Sequence, residues 1–129
     1  MSTSPTIDRK AFLQALATQF PEIAENIGEG ESGLLHLEMA AMSHATLEAI
    51  EARSWNSVAA HFSFIDEVFA SGNEAVQNAV YVSYLENIFL GEASAEFANA
   101  RAMLPPTLAA GLVRLEAHFE KLAHAKRGA

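Results

Sequence analysis

The sequence predicts a single all-α domain over residues 1–129, a bundle of about six helices around a nearly all-apolar fourth helix. Half of the residues are apolar, and β-branched residues are few. Apolar residues recur three and four positions apart, the spacing of one face of an α-helix, and no useful stretch alternates with the period of a strand. The ends of the chain, 1–7 and 125–129, are expected to fray.

The first helix is predicted to begin after Asp8, whose carboxylate can accept a hydrogen bond from a free N–H group of the first turn. Phe12 and Leu16 start its apolar stripe. Pro21 either kinks this helix or begins a second short one, because proline cannot continue the hydrogen-bond pattern of a helix interior. A glycine-rich acidic loop, GEGESG at 28–33, is expected to follow.

The second and third helices are predicted over 34–52 and 55–70, with Ser54 as the N-cap of the third. Each has one apolar face. On the second helix this face consists of Leu35, Met39, Met42, Thr46, Ala49 and Ile50. On the third it consists of Trp55, Val58, Ala59, Phe62, Ile65 and Phe69.

The fourth helix, predicted over 74–90 and ended by Gly91, is apolar almost all round, which is typical of a helix in the middle of a bundle. A short fifth helix is expected over 95–103, followed by Pro105 and Pro106. The last helix begins near Thr107. Its apolar residues form a seam that could also join two copies of the chain: Leu108, Leu112, Leu115, Phe119 and Leu122.

Charge is distributed very unevenly along the chain. The formal net charge is −8, yet residues 11–100 hold thirteen carboxylates and a single basic residue, Arg53. Such a field attracts cationic partners. It disfavours nucleic acids and anionic membranes, which are bound through lysine and arginine. The composition therefore predicts a cationic protein partner, no nucleic acid and no membrane.

Several classes of function lack any sequence support. The chain has no cysteine, so it holds no disulfide, thiolate nucleophile or zinc–sulfur site. No P-loop, dinucleotide fingerprint, nucleophile elbow or zinc motif occurs, which predicts neither a cofactor nor an enzyme. No apolar run is long enough to span a bilayer, and the first residues do not read as a signal peptide. A cytoplasmic location is expected.

Asp66 poses a separate question, because a helical wheel places it within the apolar stripe of the third helix. A buried carboxylate must be hydrogen-bonded or change its pKa. It is a structural group bonded to a side chain of the fourth helix, a catalytic or ligand-binding acid, or part of a stripe edge that is exposed where a partner docks. In the second case the alternative function is a small-ligand or metal-binding bundle, whose pocket would contain His61, Asp66, Asn78, Tyr81 and Tyr84.

Metal binding by itself has weak support in the histidine spacings. His44 and Glu48 lie one helical turn apart, and His61 precedes Asp66 on the third helix. However, di-iron bundles also need a His-x-x-x-His or Glu-x-x-His pair, and neither occurs. A solvated cluster is therefore the prediction for His44 and Glu48, and no metal is expected.

A run of segments resembles a known group of proteins. These segments are HLEMA at 36–40, ATLEAIEARSW at 45–55, HFSFIDEVF at 61–69 and NAVYVSYLENIF at 78–89, together with LPPTL at 104–108 and LEAHFEKL at 115–122. They resemble a family of small, uncharacterised, all-helical bacterial proteins associated with toxin–immunity loci. The resemblance implies an immunity protein that binds and blocks a toxin, such as a nuclease, without chemistry of its own.

This implication agrees with the charge distribution, because nuclease domains are basic where they hold nucleic acid and an acidic surface can mimic that substrate. The partner-binding residues are then expected among acids of the loop and of the polar helix faces. They are Glu29, Glu31, Glu48, Glu51, Glu67 and Glu74.

Overall fold

A computed structural model of the chain describes residues 6–25, 27, 35–89 and 94–127, the side chains of 123–127 excepted. The described part is an all-α bundle, as predicted. The GEGESG loop, with Glu29 and Glu31, lies outside the described residues, and so does Gly91.

The N-terminal segment shows both a cap at Asp8 and a second short helix that begins at Pro21. Asp8 caps α1 (Arg9–Gln19), and its carboxylate accepts a 2.8 Å hydrogen bond from the N–H of Ala11. Pro21 then begins a separate short helix, α2 (Pro21–Glu25). Ile7, within the segment expected to fray, pairs with the α4–α5 turn: its N–H donates to Ser71 O at 2.7 Å.

Two antiparallel helices, α3 (Leu35–Glu51) and α4 (Trp55–Ser71), form a hairpin close to the predicted bounds. Arg53 has a φ of 56°, a left-handed conformation that commonly ends a helix. The N–H of Ser54 accordingly donates back to Ala49 O at 2.9 Å. Ser54 occupies the N-cap position of α4, but its side chain makes no capping hydrogen bond.

The predicted fourth helix is interrupted by a wider turn. It consists of α5 (Glu74–Ala79), a π-helical segment (Val80–Leu85) and α6 (Glu86–Phe89) in one continuous run. A π-helix bonds each N–H to the carbonyl five residues earlier, which changes the direction of the side chains that follow. The run packs against α3, α4 and α8, so its central position is confirmed, whereas its π segment was not predicted.

The C-terminal third consists of α7 (Ala95–Ala102) and α8 (Pro106–Arg127). Three residues of the predicted α8 seam are buried: Leu108, Leu112 and Leu115. The seam then leaves the body of the bundle, because Phe119 and Leu122 are exposed. None of the described helices has the length and apolar character needed to cross a membrane.

Candidate functional site

A cavity of about 700 Å³ opens between α2 and the α3–α4 hairpin. Its walls combine small and apolar side chains with a few polar ones. The residues that line it are Gln19, Phe20, Pro21, Glu22, Ile23, Ala45, Glu48, Ala49, Ala52, Ser54, Asn56, Ser57, Ala60 and His61. Four of these are alanines, which leave room beside the helix backbones.

His61 is the buried polar side chain of this cavity and belongs to a network of three helices. Its Nδ1 lies 3.0 Å from Thr46 Oγ1, and the hydroxyl of Tyr84 lies 2.9 Å from the same oxygen. Thr46 Oγ1 also contacts the carbonyl of Met42 at 3.2 Å. The network therefore joins α3, α4 and the π segment through one threonine hydroxyl.

The positions of the protons follow from what each group can donate. A carbonyl only accepts, so Thr46 donates its single proton to Met42 O. The oxygen of Thr46 must then accept from both Tyr84 O–H and His61 Nδ1–H. This assignment makes all three contacts hydrogen bonds, and any other assignment loses at least one of them.

Burial keeps both ionisable members of the network neutral. Desolvation lowers the pKa of His61, because water no longer stabilises the imidazolium ion. Desolvation also raises the pKa of Tyr84, whose side chain is completely buried. A neutral imidazole with its proton on Nδ1 carries a lone pair on Nε2.

Phe20 fixes the orientation of the imidazole from the cavity side. The two rings meet edge to face, with their centroids 5.0 Å apart. Phe20 also packs edge-on against Phe64, at a centroid distance of 5.3 Å. The histidine is thus positioned by a hydrogen bond on one side and an aromatic contact on another.

The predicted partner-binding acids fall into two groups in the structure. Glu48 and Glu51 are exposed on the last turns of α3, and Glu48 lines the cavity. Glu67 and Glu74 are also exposed, but they lie toward the far end of α4 and at the start of α5. At 1.5 Å per residue, Glu67 is about 18 Å along α4 from Trp55.

Three arginines of the described structure bind acids that do not line the cavity. Arg9 forms a bidentate ion pair with buried Glu38, in which Nε donates to Oε1 at 2.8 Å and Nη2 donates to Oε2 at 2.7 Å. The remaining pairs are Arg53 with Glu96 at 2.6 Å, and Arg101 with Glu116. Among the described residues, no lysine or arginine pairs with Glu22, Glu48 or Glu51.

The pocket expected around Asp66 is assembled differently. His61 and Tyr84 do meet, through Thr46, but Asn78 is exposed and Tyr81 packs edge-on against Phe69 with centroids 5.2 Å apart. Oδ1 of Asp66 is buried without a hydrogen-bond partner in the described part of the chain. No hydrogen bond between Asp66 and the fourth helix is found among the described residues.

The sequence analysis placed Thr46 correctly on the buried face of the second helix but did not identify it as the centre of a hydrogen-bond network. It appeared as one more member of the apolar face of the second helix. A hydroxyl in such a stripe needs hydrogen-bond partners, and that requirement was the available signal. The partners could not be identified, because they lie on two other helices.

Histidine and acid side chains do not converge on a metal-sized site within the described residues. His44 Nε2 contacts Glu48 Oε1 at 3.2 Å, and both side chains are largely exposed. No group of three or more potential ligands comes together in the described ranges.

Comparison with known proteins identifies a family for this chain. A family model described as a domain of unknown function (DUF7674) matches residues 13–120. No curated protein and no solved structure matches the chain. The matched range contains α2, α3, α4 and the whole cavity between them.

Proposed function

The chain belongs to the DUF7674 family, and we propose that it is a cytoplasmic protein-binding module that binds a cationic protein partner. Its most concrete form is an immunity protein that binds and blocks a toxin domain such as a nuclease. The toxin–immunity assignment rests on the resemblance described above, and the binding role rests on the charges of this chain.

The observation that carries the proposal is a group of acids beside the cavity that pair with no lysine or arginine among the described residues. Glu22, Glu48 and Glu51 are exposed, whereas Arg9, Arg53 and Arg101 bind acids elsewhere in the described structure. Among the described residues Glu48 contacts the exposed His44, and none of the three carboxylates pairs with a lysine or arginine. All three can therefore pair with a lysine or arginine of another protein. Their field also speeds the encounter with a positively charged surface.

Inhibition in this proposal needs no chemistry from the module. A nuclease holds the phosphates of its substrate with lysine and arginine side chains. An acidic surface placed on those side chains excludes the substrate sterically and cancels the field that attracts it. Specificity would then depend on the shape of the contact around the charges.

The test compares two double charge reversals at opposite ends of the α3–α4 hairpin. The partner is a basic toxin domain encoded by a gene adjacent to that of the module. Glu48→Lys with Glu51→Lys should slow association at least about tenfold at low salt, since rim charges act mainly on the rate of encounter. The matched control, Glu67→Lys with Glu74→Lys, changes the net charge equally at the far end and should slow it much less.

Association rates are measured by stopped-flow fluorescence at several salt concentrations, with circular dichroism confirming that both variants fold. Unchanged binding in both variants would refute the electrostatic module. Equal slowing in both would mean that net charge acts without a localised surface, contrary to the proposal.

A further inference from the structure

The cavity holds a hydrogen-bond acceptor at a buried position. Nδ1 of His61 donates to Thr46, so Nε2 carries the lone pair of the neutral ring. The residue is only 7 % exposed, yet it lines the cavity. Among the described residues no hydrogen bond to Nε2 is found, and since His61 lines the cavity, this lone pair can receive a donor there.

Two acidic residues line the cavity together with this acceptor. Glu22 comes from α2 and Glu48 from α3, so the two acidic residues belong to different walls. No lysine or arginine lines the cavity among the residues that the structure describes. These residues therefore favour a group that is both a hydrogen-bond donor and positively charged.

The remaining walls favour an apolar stem behind that donor. Ala45, Ala49 and Ala60 present methyl groups along α3 and α4, and Ile23 closes the side formed by α2. Phe20 adds an aromatic ring, against which a cation can also pack. Lysine and arginine side chains combine an alkyl stem with a cationic donor in this way.

We propose that the cavity binds one basic side chain of the protein partner, with its cationic end hydrogen-bonded to Nε2 of His61 and paired with Glu22 and Glu48. This inference rests on the proposed function and deepens it: the partner inserts a lysine or arginine between α2 and the α3–α4 hairpin. The exposed acids attract the partner, and the cavity anchors it.

The experiment uses n-butylguanidinium as a mimic of an arginine side chain and n-butylurea as its neutral isostere. Each is titrated into the full-length ¹⁵N-labelled protein and followed by NMR. Butylguanidinium should shift the resonances of His61 and Ala49 saturably, with a dissociation constant in the millimolar range expected for so small a ligand. Butylurea should bind at least about tenfold more weakly, because it lacks the charge.

Two variants that each remove one negative charge test whether butylguanidinium binds at the cavity. Glu48→Gln should weaken butylguanidinium binding about three- to fivefold, because it removes one partly exposed ion pair. Glu67→Gln removes a carboxylate at the far end of α4 and should leave binding unchanged. Both replace exposed side chains, so the fold is expected to be retained.

Equal binding of the two probes, or shifts that do not saturate, would overturn the cavity proposal. So would an equal effect of the two variants. None of these outcomes depends on the protein partner. The cavity can therefore fail while the charge reversals still slow association, and the binding module can fail while the probe still binds.

Discussion

Each half of α4 carries one ionisable side chain within its apolar stripe, His61 buried and Asp66 half-buried, and the surroundings of the two differ. In the N-terminal half, His61 donates to Thr46, contacts Phe20 and opens onto a cavity. In the C-terminal half, Asp66 has a buried oxygen without a hydrogen-bond partner among the described residues. A polar residue in an apolar stripe becomes a candidate site when neighbouring helices supply both a partner and access.

The chemistry of the two groups accounts for part of this difference. Imidazole can lose its charge at a modest cost near neutral pH, and burial lowers the pKa of His61 further in that direction. The tyrosines of the π segment also contribute to the difference, because the hydroxyl of Tyr84 reaches Thr46, the hydrogen-bond partner of His61. Tyr81, from the same segment, instead faces Phe69 and lies against Gly111.

The largest expected effect is at the centre of the His61 network. Thr46→Val keeps the shape of the side chain but leaves Tyr84 O–H and His61 Nδ1–H without an acceptor. Two buried donors without partners should lower the free energy of unfolding by about 2–4 kcal/mol. Urea denaturation measures this change.

Ser43→Ala is the matched control on the same helix. Ser43 is buried too, but its hydroxyl donates only to the carbonyl of Ala40, so its removal leaves no donor behind. We expect a loss below about 1 kcal/mol. A Thr46→Val variant as stable as Ser43→Ala would show that the network does not hold the three helices together.

The smallest expected effect is at the other half of α4. Asp66→Asn removes a charge but breaks no hydrogen bond of the described structure. The free energy of unfolding should therefore stay within about 0.5 kcal/mol of the parent value. The control is Glu67→Gln, which removes the same charge from the exposed residue next to Asp66. A loss above about 2 kcal/mol at Asp66 alone would reveal a bonded carboxylate and reverse the comparison.

Local sequence signals predicted the helices, the Asp8 cap and the central fourth segment, because each depends on residues close together in the chain. The π segment was missed, since residues 80–85 have the composition of an ordinary apolar helix. The candidate site was missed in part for a different reason. A helical wheel places His61 relative to its own helix, whereas the contacts that position it come from Thr46, Phe20 and Tyr84 elsewhere in the bundle.

The α8 seam shows the same limit of a local pattern. Its repeat correctly predicted that Leu108, Leu112 and Leu115 pack against the bundle. The same repeat continues through Phe119 and Leu122, which are exposed in the described structure. The homo-oligomer through this helix stays a prediction, because periodicity identifies an apolar face without identifying what covers it.

The state of the His61 ring tests the central claim most directly, because the cavity can accept a donor only if Nε2 is unprotonated. Long-range ¹H–¹⁵N NMR correlations of the imidazole distinguish the two neutral tautomers and the imidazolium ion. At pH 7 we predict a protonated Nδ1 and a lone pair on Nε2. A proton on Nε2, in either the other tautomer or the imidazolium ion, would contradict the account.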